Sequence, residues 1–158
     1  MLSIWLIDMV AILPIYAIVW TLDRHYHFFG PDVPGASFLE KYGALKVYLI
    51  VVVGAPVIET FIGQGLPWLI TRLLRLPSAF FLAISTLWFA WLHGVGFHRA
   101  DFWVMVLGHL VAAFLLAFTW LHGRKHSRWQ AIWMTASVHM LANFTVTFVY
   151  ILGELSHA

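Results

Sequence analysis

Apolar runs of about one membrane thickness, parted by short polar intervals that hold almost all of the charge, confine this chain to one kind of architecture. A helix crossing a hydrocarbon core of about 30 Å needs roughly 20 mostly apolar residues. Leu2 to Trp20, Val47 to Ile70, Ser78 to Phe97, Phe102 to Leu121 and Trp129 to Leu152 all approach that length. In lipid a helix satisfies its own backbone, so the runs predict an all-α, polytopic membrane helix bundle with about five transmembrane helices. Composition agrees: 62% of the 158 residues are hydrophobic and 10% charged, with a mean hydropathy of +0.87. Soluble domains carry about 25% charged residues.

The polar intervals set the organisation. Residues 1–46 read as a first transmembrane helix followed by an interfacial loop, Thr21 to Lys46, punctuated by Gly30, Pro31, Pro34 and Gly35. No basic n-region precedes the first apolar run, so it reads as a retained helix and not as a cleaved signal. Asp8, near one end of that run, is expected to reach the interface, and Pro14 is tolerable inside a membrane bundle. Residues 47–158 form the membrane core, with basic loops at Thr71 to Pro77 and His122 to Arg128. Basic residues on the two sides favour a cytoplasmic N-terminus by a small margin. No cluster forms a basic, aromatic-lined groove, so nucleic acid is not an expected partner; membrane lipids are. With no cysteine, disulfides, thiolate metal sites and a cysteine nucleophile are excluded.

One residue breaks the pattern inside the core. Glu59 is the sole charge between Val47 and Thr71, and a carboxylate at the bilayer centre costs about 2.5–3.5 kcal/mol on insertion scales. Such an acid marks a functional site and calls for partners; the candidates are His93, His139 and Asn143. At about 1.5 Å per residue, Glu59, His139 and Asn143 fall near mid-span, and His93 lies somewhat toward one face. Spaced four apart, His139 and Asn143 share a helix face, as do Phe89 and His93. Gly54 and Pro56 predict a kink just before Glu59. An acid with perturbed proton affinity beside imidazoles is what general-base chemistry uses. Glu with two His is also a set that zinc accepts, although no H-E-x-x-H motif is present. His98 and His109 read as structural, Ser85, Thr86 and Ser137 as helix-packing residues, and His25, His27, His122, His126 and His157 as solvated.

Three short motifs occur in order: Glu59 with the Gln64-Gly65 step, Phe89-Ala-Trp-Leu-His93, and His139-Met-Leu-Ala-Asn143. Over roughly Pro56 to Phe148 the chain resembles the CPBP family, the CAAX proteases and Abi-type bacteriocin-processing proteins, whose motifs are EExxxR, FxxxH and HxxxN. The resemblance implies an intramembrane glutamic endopeptidase that needs no metal or other cofactor, acting on a membrane-proximal peptide or protein. By it, Glu59 would activate water, His93 would position or activate that water, and His139 and Asn143 would stabilise the oxyanion, with Thr60, Gln64 and Phe89 in support. Thr60 and Gln64 replace the family's second acid and its arginine together, so a neutral pair able to hydrogen-bond stands where an i,i+4 ion pair is expected. Two other readings are open: a non-catalytic membrane partner, such as an immunity or regulatory protein that keeps the scaffold, and a transporter or metal-binding membrane protein.

Overall fold

A computed structural model describes residues 46, 48–95 and 99–155, and every regular element among them is helical. The first apolar run and nearly all of the 21–46 interval, with Asp8 and Pro14, lie outside the described residues, as does His98. Four helices follow one another: α1 (Leu49–Leu73), α2 (Ser78–Gly94), α3 (Arg99–Arg124) and α4 (Arg128–Leu155). Two stretches, Leu49–Leu73 and Val106–Arg124, are long and apolar enough to cross a membrane. The basic loops are shorter than polarity alone indicates, because α1 runs through Arg72 and α3 through Arg124. Polar residues at a helix end still complete the backbone hydrogen bonds of its last turn, which hydropathy does not register. At the first of these turns Arg75 takes a positive φ of 54°, and the N–H of Leu76 reaches back to the carbonyl of Thr71 at 2.8 Å. Both features belong to a helix end closed by a left-handed residue.

Helix α1 holds the acid, and it is not a plain α-helix. Leu49–Gly54 and Phe61–Gly65 are π-helical, each followed by an α-helical stretch with proline as its second residue, Pro56 in Ala55–Thr60 and Pro67 in Leu66–Leu73. Where the kink is expected, a π-helical turn precedes Pro56 on its N-terminal side. Proline has no N–H and crowds the carbonyl four residues back; widening to i→i+5 bonds lets the helix pass without breaking. The i→i+5 bonds are present, from Ala55 to Ile50 and from Leu66 to Phe61. The sequence signal is a repeated Gly-x-Pro, at Gly54 to Pro56 and Gly65 to Pro67.

Each proline still leaves carbonyls without donors, and other helices supply them. In the π register the missing N–H of Pro56 would serve Val51; the Asn143 side-chain amide of α4 donates to that oxygen at 2.9 Å. Pro67 withholds the N–H that would serve Ile62 in the π register and Gly63 in the α register. On α2, Trp88 Nε1 donates to Ile62 O at 3.2 Å and Ser85 Oγ to Gly63 O at 2.7 Å. Helix α1 is thereby tied at its first half to α4 and at its second half to α2, matching how these segments pack. The Ser85 bond is buried and the other two lie at the surface; together they tie the backbone of α1 to its two neighbours.

Helix α3 packs against both α2 and α4. One core cluster joins Phe89 and Ala90 to Val106, Ala113, Leu116 and Val138; a second joins Phe81, Ala117, Trp120 and Ala131. Small residues let the helices approach closely. A Cβ on Gly123 would sit 2.5 Å from the Ala131 Cα, and one on Gly94 would sit 2.7 Å from Phe102 and Val106. Large apolar side chains such as Leu73, Leu87, Trp129 and Trp133 are exposed, and the interior mixes the apolar clusters with buried polar residues, among them Thr60, Gln64, Ser85, Thr119 and Thr135. Several buried hydroxyls bond their own helix, as Thr71 does to the Pro67 carbonyl at 2.9 Å and Thr119 to that of Leu115 at 2.8 Å.

Candidate functional site

Three of the four residues singled out by sequence converge on one carboxylate oxygen. Oε2 of Glu59 lies 3.7 Å from Nε2 of His93 and 3.4 Å from Nε2 of His139. The groups come from α1, α2 and α4 and are separated by 34 or more positions along the chain. Their convergence is set by the interhelical bonds described above: Asn143 is one turn from His139 on α4, and Ser85 and Trp88 are two turns and just over one turn from His93 on α2.

Phe89 is the packing centre of the site. It is buried, its ring centroid is 4.5 Å from that of His93 and 5.4 Å from that of His139, and its carbonyl oxygen lies 2.9 Å from His93 Nδ1. That last contact accepts an Nδ1–H. The hydrogen bond of one nitrogen selects the tautomer, so neutral His93 presents the lone pair of Nε2 to the space beside Glu59. Against the other face of His93 stacks His109 of α3, at 4.3 Å between centroids and 22° between planes. Sequence reasoning assigned His109 a structural role by itself; the fold adds it to the cluster. The available signal was depth, since His93 near the end of α2 and His109 in the first half of the antiparallel α3 lie at similar heights.

Glu59 and His93 also line a cavity of about 130 Å³ with Ile62, Phe89 and Leu92. At about 30 Å³ of liquid volume per water, that space admits a few waters beside the carboxylate. Half-buried Glu59 and His93 face it, while the His139 ring is only 6% exposed.

Asn143 is placed differently. Its side-chain amide donates to the Val51 carbonyl at 2.9 Å, and the Glu59–His93 cavity is lined by Ile62, Phe89 and Leu92 without it. Thr60 and Gln64 are fully buried, yet neither the Thr60 hydroxyl nor either Gln64 amide atom has a hydrogen-bond partner among the described residues. Able to hydrogen-bond, the two are not bonded to each other. Gln64 lies within the π-helical turn Phe61–Gly65 that follows Thr60, and i,i+4 facing is a property of the α register. Among the described residues, no group of three or more His, Asp or Glu side chains is gathered so as to hold a metal ion.

Compared with known protein families, characterised proteins and solved structures, the chain matches none.

Proposed function

We propose that this chain is a membrane-embedded glutamic endopeptidase of the CPBP kind, with Glu59 as the base that activates a water for attack on a peptide carbonyl. The observation that carries this reading is the approach of two imidazoles, from two further helices, to the one acid of α1. Membrane placement is supported by the two long apolar helices and by the many large apolar side chains exposed on the bundle's surface.

In this reading a water in the cavity gives one O–H to Glu59 and the other to His93 Nε2, which the Phe89 carbonyl keeps as an acceptor. Both groups hold the water, and Glu59 takes its proton as the oxygen attacks. His139, whose Nε2 lies 3.4 Å from Glu59 Oε2, supplies a donor to the charge that develops on the substrate oxygen. The proton taken by Glu59 then passes to the departing amine, closing the cycle. Asn143 acts at one remove, holding the Val51 carbonyl and so the pose of α1. The five-helix count and the cytoplasmic N-terminus belong to the same reading.

The test is Glu59→Gln, nearly isosteric but unable to accept the proton. Turnover of a quenched fluorescent peptide library by the purified protein in detergent should fall by about 10²–10⁴-fold, with unchanged helical content and thermal unfolding. Wild-type turnover in the Gln variant would remove Glu59 as the base. A wild-type protein that cleaves nothing, in cells or in vitro, while the Gln variant keeps its cellular phenotype would favour the non-catalytic partner.

A further inference from the structure

A second cavity, of about 400 Å³, opens at the other end of the core, where α1 meets α2 and α3 meets α4. Its polar wall is His122, Arg124 and Lys125 of α3 and the following turn, with Ser78 at the start of α2. Trp68, Phe118 and Leu121 form the apolar wall. The Arg124 guanidinium lies 5.2 Å above the Trp68 ring, which fixes its plane by a cation–π contact. Its Nε is buried with no hydrogen-bond partner among the described residues. The first turn of α2 also has no side-chain cap, whereas in α4 the backbone N–H of Gln130 bonds Ser127 Oγ at 2.9 Å. N–H groups in the first turn of a helix favour an anion; of those in α2, that of Phe80 is already taken by the Pro77 carbonyl at 3.0 Å. Arg72 and Arg128 are near enough to add their charge. Residues 60–100 and 102–153 contain no Asp or Glu, so no carboxylate from these segments balances the cluster.

We propose that this cavity binds the phosphate of an anionic phospholipid headgroup, with Arg124, Lys125 and the start of α2 on the phosphate and Trp68, Phe118 and Leu121 along the glycerol and upper acyl chain. Cationic groups backed by an apolar wall, at the end of two apolar helices, match a ligand that is anionic at one end and hydrocarbon at the other. A free phosphate would use the cations and leave the apolar wall uncovered. The inference rests on the chain spanning a membrane and is independent of the peptidase reading, since binding is measured without cleavage.

The experiment titrates the purified full-length chain in neutral detergent with phosphatidylglycerol, phosphatidylcholine or inorganic phosphate, reading bound lipid by native mass spectrometry and ligand stabilisation by thermal unfolding. Phosphatidylglycerol should bind at least about tenfold more tightly than phosphatidylcholine, with about a fivefold loss for each cation neutralised near the surface. Arg124→Gln should lose at least that much, and phosphatidylcholine binding should not change. Lys125→Gln, at an exposed turn position, keeps the test decisive if the Arg124 variant fails to fold. Equal binding of the two lipids, or unchanged phosphatidylglycerol binding in Lys125→Gln and in any folded Arg124→Gln, would overturn the proposal. Equal stabilisation by inorganic phosphate at the same concentration would overturn the lipid as the source.

Discussion

Asn143 donates its side-chain amide to the carbonyl of Val51, the acceptor that Pro56 deprives of an N–H five residues further along α1. One of the residues first noticed as polar in an apolar span is therefore the repair of a defect in another helix. The same relation recurs at Pro67, where Trp88 and Ser85 serve Ile62 and Gly63.

The Asn143–Pro56 relation predicts a coupling. Asn143→Ala should destabilise the protein by about 0.5–1.5 kcal/mol, the net value of one hydrogen bond. In a Pro56→Ala background, where residue 56 regains an N–H, the same truncation should cost clearly less. A double-mutant cycle on thermal or denaturant unfolding measures the difference; equal costs in both backgrounds would show that the amide is not answering the proline.

Gly63 is a contact point between the backbone of α1 and the aromatic centre of the site. A Cβ there would lie 2.3 Å from Cδ2 of Phe89, so Gly63→Ala must displace the ring that packs on both His93 and His139. Overpacking of this kind costs about 1–3 kcal/mol. Turnover should fall more than stability does, since the displaced ring packs on both His93 and His139. The check is peptide turnover at a temperature well below the variant's own unfolding midpoint.

Thr60 and Gln64 give a test of charge pairing inside α1. Thr60→Glu or Gln64→Arg alone buries one unpaired charge and should cost about 3–5 kcal/mol. The double variant should cost less than the sum, if the side chains can reach each other across the π turn. Additive costs in unfolding measurements would mean that the π register holds them apart. Thr60→Val removes a buried hydroxyl that has no partner and should leave stability unchanged or slightly higher.

His93 and His139 should separate by role. Replacing His93 with Gln keeps hydrogen-bonding atoms but changes their reach, and should cost about 10²-fold or more in turnover. His139→Ala removes the proposed oxyanion donor, for which a loss of about 10²–10³-fold is expected. Metal analysis of protein purified without added metal accompanies both: stoichiometric zinc that disappears with Glu59 or His139 would replace the metal-free mechanism by a metal-assisted one.

Much of this was determined by sequence alone, because it depends on local chemistry. Long apolar runs with few charges specify helices, and a lone acid at mid-run specifies a polar neighbourhood around itself. Four-residue spacing put Phe89 with His93, and His139 with Asn143, on shared faces, since that follows from helix geometry within one segment. The rest depended on how helices meet. Only packing decided that Oε2 of Glu59 faces both imidazoles, that His109 stacks on His93, and that Asn143 is occupied by Val51. The π turns came from two prolines acting on a backbone whose stranded carbonyls found donors on neighbouring helices. The gathering of Trp68, Ser78 and Arg124 around one cavity likewise joins residues from three helices. Periodicity is a property of one segment, whereas rotation and depth are fixed by contacts between segments distant in the chain, which a single sequence does not display.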